Sequence, residues 1–250
     1  MSALVEVKNL KKYFETPRGM LHAVDDVSFS IEKSKTMGVV GESGCGKSTL
    51  GRVIIHLLDS TDGSIYFEGE DITRVNSQKL RKLRDNMKII FQDPFSSLNP
   101  RMTVEQTIME PLTISGRYTR KERQEEAERL MAMVGIDHRL RLSYPHELDG
   151  GRRQRVGIGR ALALNPKFIV CDEPVSALDV SISAQVLNLL QDLQDKFGLT
   201  YMFVTHDLSV VRLISDDICV MYLGQLVETC PSKELFKKPL HPYTQALISA

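Results

Sequence analysis

The sequence predicts an α/β fold. Short apolar runs of strand length alternate with longer amphipathic stretches of helical period. A glycine-rich turn, Gly41-Glu42-Ser43-Gly44-Cys45-Gly46-Lys47-Ser48-Thr49, falls directly between a strand candidate and a helix candidate. An apolar run also ends in two adjacent carboxylates, Asp172-Glu173, where the edge of a parallel sheet places ligand chemistry.

The strand candidates, in chain order, are Leu4–Val7, Val27–Ile31, Met37–Val40, Ser64–Phe67, Lys88–Phe91, Phe168–Cys171, Thr200–Val204, Ile218–Tyr222 and Gln225–Glu228. The last two flank Leu223-Gly224 and predict a hairpin. A helix is expected to start at Gly46–Lys47. A second spans Arg120–Val134, opened by the Thr119/Glu122 capping box and striped by Ala127, Leu130, Met131 and Val134. A third spans Ser181–Phe197, with Ile182, Val186, Leu189, Leu190 and Leu193 on one face and Gly198 as its C-cap. These stripes read as core packing. From about Pro94 to Gly151 no strand pattern holds, so that stretch reads as a helical insertion.

Of the 250 residues, 42% are hydrophobic and 26% charged, a balance that builds a sizeable core and argues against disorder. A formal net charge of zero argues against non-specific capture by nucleic acid or anionic lipid, so no nucleic-acid partner is expected. The cysteines, Cys45, Cys171, Cys219 and Cys230, form no CxxC pair and no zinc-finger spacing; they read as reduced thiols of a cytosolic chain. The N-terminal residues lack the apolar region of a signal peptide, and no run reaches the roughly 18 apolar residues of a membrane span. Any link to a membrane is therefore expected to come through partners.

The turn Gly41–Thr49 matches GxxxxGK[ST] in the strand–loop–helix context that this motif needs. Its glycines let backbone N–H groups converge on an anion, and the helix N-terminus adds its positive end. Lys47 is expected to reach the β- and γ-phosphates of a nucleoside triphosphate, and Ser48 to ligate Mg²⁺. Asp172 is expected in the Mg²⁺ shell. Glu173 is the candidate general base for an attacking water, against the plainer reading of a solvated strand end. His206 follows the strand Thr200–Val204 and is either a γ-phosphate contact or structural.

At Leu148-Asp149-Gly150-Gly151-Arg152 the chain resembles the LSGGQ signature of ABC-transporter ATPases. The rest of that family's set follows in order: the phosphate loop, Gln92, the signature, Asp172-Glu173, the loop Ser176-Ala177-Leu178-Asp179, and His206. Near the start, Asn9–Phe14 is similar to the family's adenine-stacking loop, with Phe14 fitting by spacing better than Tyr13. Phe91–Pro100 and Pro239–Leu247 are similar to the dipeptide, oligopeptide and nickel importer ATPases.

The resemblance implies a P-loop NTPase (RecA-like) core with an N-terminal antiparallel β subdomain and an inserted helical subdomain. Residues 1–93 and 156–250 would form the core with the β subdomain, 94–155 the helical subdomain carrying the signature, and 231–250 the start of a C-terminal extension. It further implies an ATP-hydrolysing subunit on the cytoplasmic face of the cell membrane, powering import of di- or oligopeptides. The alternatives are nickel or metal-chelate uptake and, in another class, a non-transport ATPase acting as a mechanical regulator.

The implied partners are a second ATPase subunit, expected to be a paralogue, two transmembrane permeases and, indirectly, a substrate-binding protein. Each ATP would touch one chain's phosphate loop and the other's signature and Asp179. Gln92 would sense Mg²⁺.

One departure stands out: Asp149 and Arg152 occupy positions where the family usually has serine and glutamine. An ionised aspartate cannot donate to the opposing γ-phosphate. Two like charges ~4 Å apart cost roughly 4 kcal/mol at an effective dielectric of 20, added to about 1.5–3 kcal/mol for a lost charged hydrogen bond. Either Asp149 weakens the partner's ATP site and leaves this chain's own site the stronger, or Arg152 neutralises it.

Overall fold

The computed structural model describes residues 3–249. Two long strands, β1 (Ala3–Thr16) and β2 (Gly19–Glu32), form a hairpin and precede β3 (Thr36–Val40) and α1 (Lys47–Ile54). Then come β4 (Asp62–Phe67), β5 (Glu70–Asp71), α2 (Ser77–Asn86) and β6 (Met87–Ile90). Helices α3 (Pro94–Ser97), α4 (Val104–Ser115), α5 (Arg120–Met133) and α6 (Gly150–Leu162) fill the stretch expected to be helical. The remainder is β7 (Phe168–Asp172), α7 (Val180–Phe197), β8 (Thr200–Val204), α8 (Leu208–Ile214), β9 (Asp217–Tyr222), β10 (Gln225–Pro231), α9 (Ser232–Leu235) and α10 (Pro242–Ser249).

The strands form an antiparallel sheet, β2-β1-β4-β5, and a six-stranded sheet, β10-β9-β3-β8-β7-β6. Within the second, β3 pairs in parallel with β8 and β9, and β7 with β6 and β8. Every residue of β3, β7 and β8 is buried, as expected for parallel strands covered on both faces. Alternate residues serve different layers. Phe168 and Val170 pack with α1 and the antiparallel sheet, whereas Ile169 and Cys171 pack with α4–α7. Burial pushes the thiols of Cys171 and Cys219 well above their ordinary pKa, consistent with inert core cysteines.

The expected strands and helices are present, with instructive differences at their ends. The first two strands run far beyond Leu4–Val7 and Val27–Ile31, because bulges near Leu10 and Lys12 break the alternation that marks a strand. Phe91 lies just outside β6. Helix α1 starts at Lys47, with Gly46 its left-handed N-cap at φ 107°. Both Thr119/Glu122 hydrogen bonds of the capping box form, and Gly198 caps α7 at φ 64°. Helix α6 runs unbroken through position 155, so the boundary expected there falls inside a helix. The outer limits expected at residues 1 and 250 lie outside the described residues.

Candidate functional site

Parallel pairing has one geometric consequence for the site: the C-terminal ends of β3, β8, β7 and β6 meet at a single edge of the sheet. From β3 the chain enters the turn Gly41–Gly46. From β7 it reaches Asp172-Glu173, from β8 Thr205-His206, and from β6 Gln92. A cleft of about 900 Å³ opens there, lined by all of Gly41–Thr49 together with Phe14, Gln92, Glu173 and His206.

Glycine is required twice in the turn. Gly41 sits at φ 151°, where a Cβ would lie 2.1 Å from the Met221 carbonyl oxygen. Gly46 sits at φ 107°, where a Cβ would lie 1.9 Å from that of Ala23. The Lys47 ammonium is buried and donates to the carbonyls of Gly41 (2.8 Å) and Glu42 (2.7 Å), which spans and closes the turn. Burial pushes the neighbouring Cys45 thiol up, with the Lys47 charge opposing that shift.

Beneath the turn, Ser48 Oγ donates to Asp172 Oδ1 at 2.6 Å. Asp172 is 2% exposed, and Arg52 approaches its other oxygen at 3.4 Å. A hydroxyl and a buried carboxylate this close are the hard oxygen donors that suit Mg²⁺. Glu173, at the mouth of the cleft, is grouped with two other side chains. Gln92 Nε2 donates to its Oε2 at 2.9 Å, and His206 Nδ1 lies 3.3 Å from the same oxygen. Gln92, expected to sense Mg²⁺, uses its amide nitrogen on Glu173 and keeps its amide oxygen for another partner.

Phe14 lines the cleft, with the Lys12 ammonium 4.9 Å from its ring centroid. Tyr13 is engaged elsewhere: it donates to Asp25 and stacks on His22 with centroids 3.9 Å apart. The Asp25 hydrogen bond pushes the Tyr13 phenol up to about 12.

Leu148, Asp149, Gly150, Gly151, Arg152 and Asp179 do not line this cleft. Asp149 is the N-cap of α6: its carboxylate accepts from the Arg152 N–H at 2.7 Å and pairs with Arg152 Nε at 3.4 Å. The glycines following it let α6 approach α7 and the loop before it. A Cβ on Gly150 would lie 3.1 Å from Leu178, and one on Gly151 2.5 Å from Ile182. Asp179 is exposed at the start of α7.

Leu21, His22, Ala23, Leu223, Gly224 and Leu247 also line the cleft and were not singled out from sequence. Leu223-Gly224 was visible as a hairpin turn; that it reaches the site depends on tertiary packing. There, the Gly224 N–H donates to the Cys45 carbonyl at 3.0 Å.

A phosphate-binding turn on a parallel sheet, an antiparallel sheet beside it and a helical insertion define an ATP-binding cassette. The profile described as ABC transporter matches residues 24–176. The oligopeptide transport ATP-binding protein AppF of Bacillus subtilis (strain 168) is 53% identical over 99% of this chain and 78% of its own length. OppF of the same organism, described likewise, is 55% identical over 99% and 82%. Among solved structures, the ATP-binding cassette MJ0796, dimeric in a post-hydrolysis state with ADP and Pi, superposes with a TM-score of 0.83 at 29% identity, covering 91% of this chain and 98% of that one. The chain belongs to the ABC transporter family. It binds and hydrolyses ATP in support of transport across a membrane, and no helix among its described residues is long and apolar enough to cross one.

Proposed function

We propose that this chain is the ATP-hydrolysing subunit of an importer for di- or oligopeptides, seated peripherally on the cytoplasmic side of its permeases. The identity of 53% and 55% to two oligopeptide transport ATP-binding proteins, over nearly the whole chain, carries the substrate class and favours peptides over nickel or metal chelates.

The geometry of the cleft supports the following division of labour. Backbone N–H groups of Gly44–Thr49 and the start of α1 bind the phosphates, with Lys47 leaving the loop carbonyls for them. Phe14 stacks on the base. Ser48 and Asp172, with Gln92 nearby, would hold Mg²⁺, which when bound would offset phosphate charge. Glu173 accepts the proton of the attacking water. His206 and Gln92 hold the Glu173 carboxylate at the cleft mouth. Leu148–Arg152 and Asp179, which lie outside this cleft, complete the ATP site of an apposed ATPase subunit, a paralogue.

The test is reconstitution with a pair of peptide permeases and a peptide-binding protein from the same cell. Peptide-stimulated ATPase activity and peptide uptake that both vanish with Lys47→Ala are expected. Purification of the chain from membranes with no permease attached, or a reconstituted transporter that accumulates a nickel chelate and no peptide, would sink the reading.

A further inference from the structure

The phosphate loop is held from outside by a bracket that none of its motifs contains. The Glu42 N–H, next to the first glycine of the loop, donates to the Tyr243 hydroxyl oxygen at 2.9 Å. Tyr243 lies on α10, two hundred residues further along the chain. Its ring packs on Tyr222 with centroids 4.3 Å apart. Tyr222 in turn adjoins Leu223-Gly224, the turn whose Gly224 N–H grips the Cys45 carbonyl. Both ends of the loop's outer rim are therefore tied to one unit, the β9–β10 hairpin with α10 on its flank.

That unit is itself well fixed. The Glu228 carboxylate on β10 accepts from the N–H groups of Leu240 (2.9 Å) and His241 (3.0 Å), which holds the turn into α10. His241 Nδ1 then accepts from the Tyr243 N–H at 3.1 Å. Tyr243 also packs against the apolar cluster of Val40, Val211, Ile218, Val220 and Leu235; Val40 is the last residue of β3 before the loop begins. Burial raises the Tyr243 phenol above its ordinary pKa, so its hydroxyl keeps its proton and remains a neutral acceptor at physiological pH.

We infer that Tyr243 is a positioning residue of the ATP site, fixing the entry of the phosphate loop through the Glu42 amide so that the remaining loop N–H groups converge on phosphate before nucleotide arrives. The inference rests on the assignment of Gly41–Thr49 to ATP binding. A loop held in its bound shape loses less conformational freedom on binding, so the tie acts on affinity. It acts little on the chemical step, since Tyr243 is remote from Glu173: the hydroxyl contacts Glu42 at the near end of the loop, and Tyr243 is not part of the cleft lining.

The decisive variant is Tyr243→Phe, which keeps the ring against Tyr222 and removes only the oxygen. Tyr222→Phe serves as its reference, because it keeps the same stack and leaves the Glu42 bond in place. ADP affinity by calorimetry and the thermal midpoint are read on the full chain, and ATPase kcat and KM on the reconstituted transporter, for all three proteins. Loss of one hydrogen bond predicts a rise of about two- to tenfold in Kd and KM for Tyr243→Phe. Its kcat and thermal midpoint should stay with wild type, and Tyr222→Phe should match wild type throughout. An unchanged Kd in Tyr243→Phe, an equal loss in Tyr222→Phe, or a fall in kcat with KM unmoved overturns the inference. Failure of the wild-type chain itself to bind ADP would instead remove the assignment of the phosphate loop.

Discussion

Glu173 sits at φ 48°, a left-handed conformation uncommon for a residue with a side chain. It is pinned there by its N–H on the Val204 carbonyl (2.9 Å) and by Ser176, whose N–H and hydroxyl both donate to the Glu173 carbonyl. This backbone aims the carboxylate into the cleft instead of along the strand. Replacing Glu173 by Gln preserves shape and removes the base. Phosphate release by the reconstituted transporter should fall by about 100-fold or more, while ATP binding by the isolated chain stays intact.

Asp149 yields to similar arithmetic. A guanidinium about 6 Å from a phosphate charge returns about 3 of the roughly 4 kcal/mol that a carboxylate at ~4 Å costs at an effective dielectric of 20. At that distance Arg152 would offset most of the repulsion and none of the missing donor. Arg152→Gln should lower the ATPase rate of the transporter further, and Asp149→Ser in that background should raise it again. An Arg152→Gln transporter as fast as wild type would show that the pair carries no such balance.

Among the elements, the antiparallel sheet is joined to the core partly through one carboxylate. Glu68, just after β4, pairs with Lys167 ahead of β7 at 2.7 Å and with Lys33 after β2 at 3.4 Å. The Lys167 hydrogen bond, then the lysine charges against the opposing effect of burial, holds the Glu68 carboxyl below its ordinary range. A depressed folded pKa gives stability that is present above the unfolded value and lost as pH falls through the folded one. Glu68→Gln should therefore cost up to about 1 kcal/mol at pH 7. By urea unfolding, the deficit should shrink as pH falls below the ordinary carboxylate range and vanish once the folded Glu68 carboxyl is protonated. Gly198→Ala at the left-handed cap of α7 should cost about 1 kcal/mol or somewhat more at any pH.

What was readable in the sequence follows from the same physics. Strands β3, β7 and β8 are buried on both faces and so are written as unbroken apolar runs. Helix α2 buries only Leu83 among polar neighbours, and β5 has two residues, so neither leaves a periodic trace. Helix α6 carries Gly150, Gly151, Gly157 and Gly159, a poor helix former by propensity; packing maintains it, with Gly159 close against Ile108 of α4. The site splits the same way. Its contiguous motifs were legible, whereas His22, Gly224, Tyr243 and Leu247 reach the phosphate loop only through the folded chain.

For the whole molecule, Leu148–Arg152 and Asp179 lie outside the cleft, so on the reading proposed above a single copy would hold two half-sites that do not meet. Stable association should therefore require nucleotide and an apposed subunit. With Glu173→Gln and ATP, mixing with the paralogue should give a 1:1 complex by light scattering, and the chain alone should give little.

Helix α6 begins at the signature and is thirteen residues and about 20 Å long at 1.5 Å per residue. Two of its arginines grip the segment after Gln92: Arg160 donates to the Ser97 carbonyl at 2.7 Å, and the Arg153 guanidinium lies 5.0 Å from the Phe95 ring centroid. A helix without a break behaves as a crowbar, not a chain. A displacement at Phe95 would then be carried along α6 to Asp149 at its tip instead of being absorbed at position 155 and, on the reading proposed above, would be felt at the ATP of the apposed subunit.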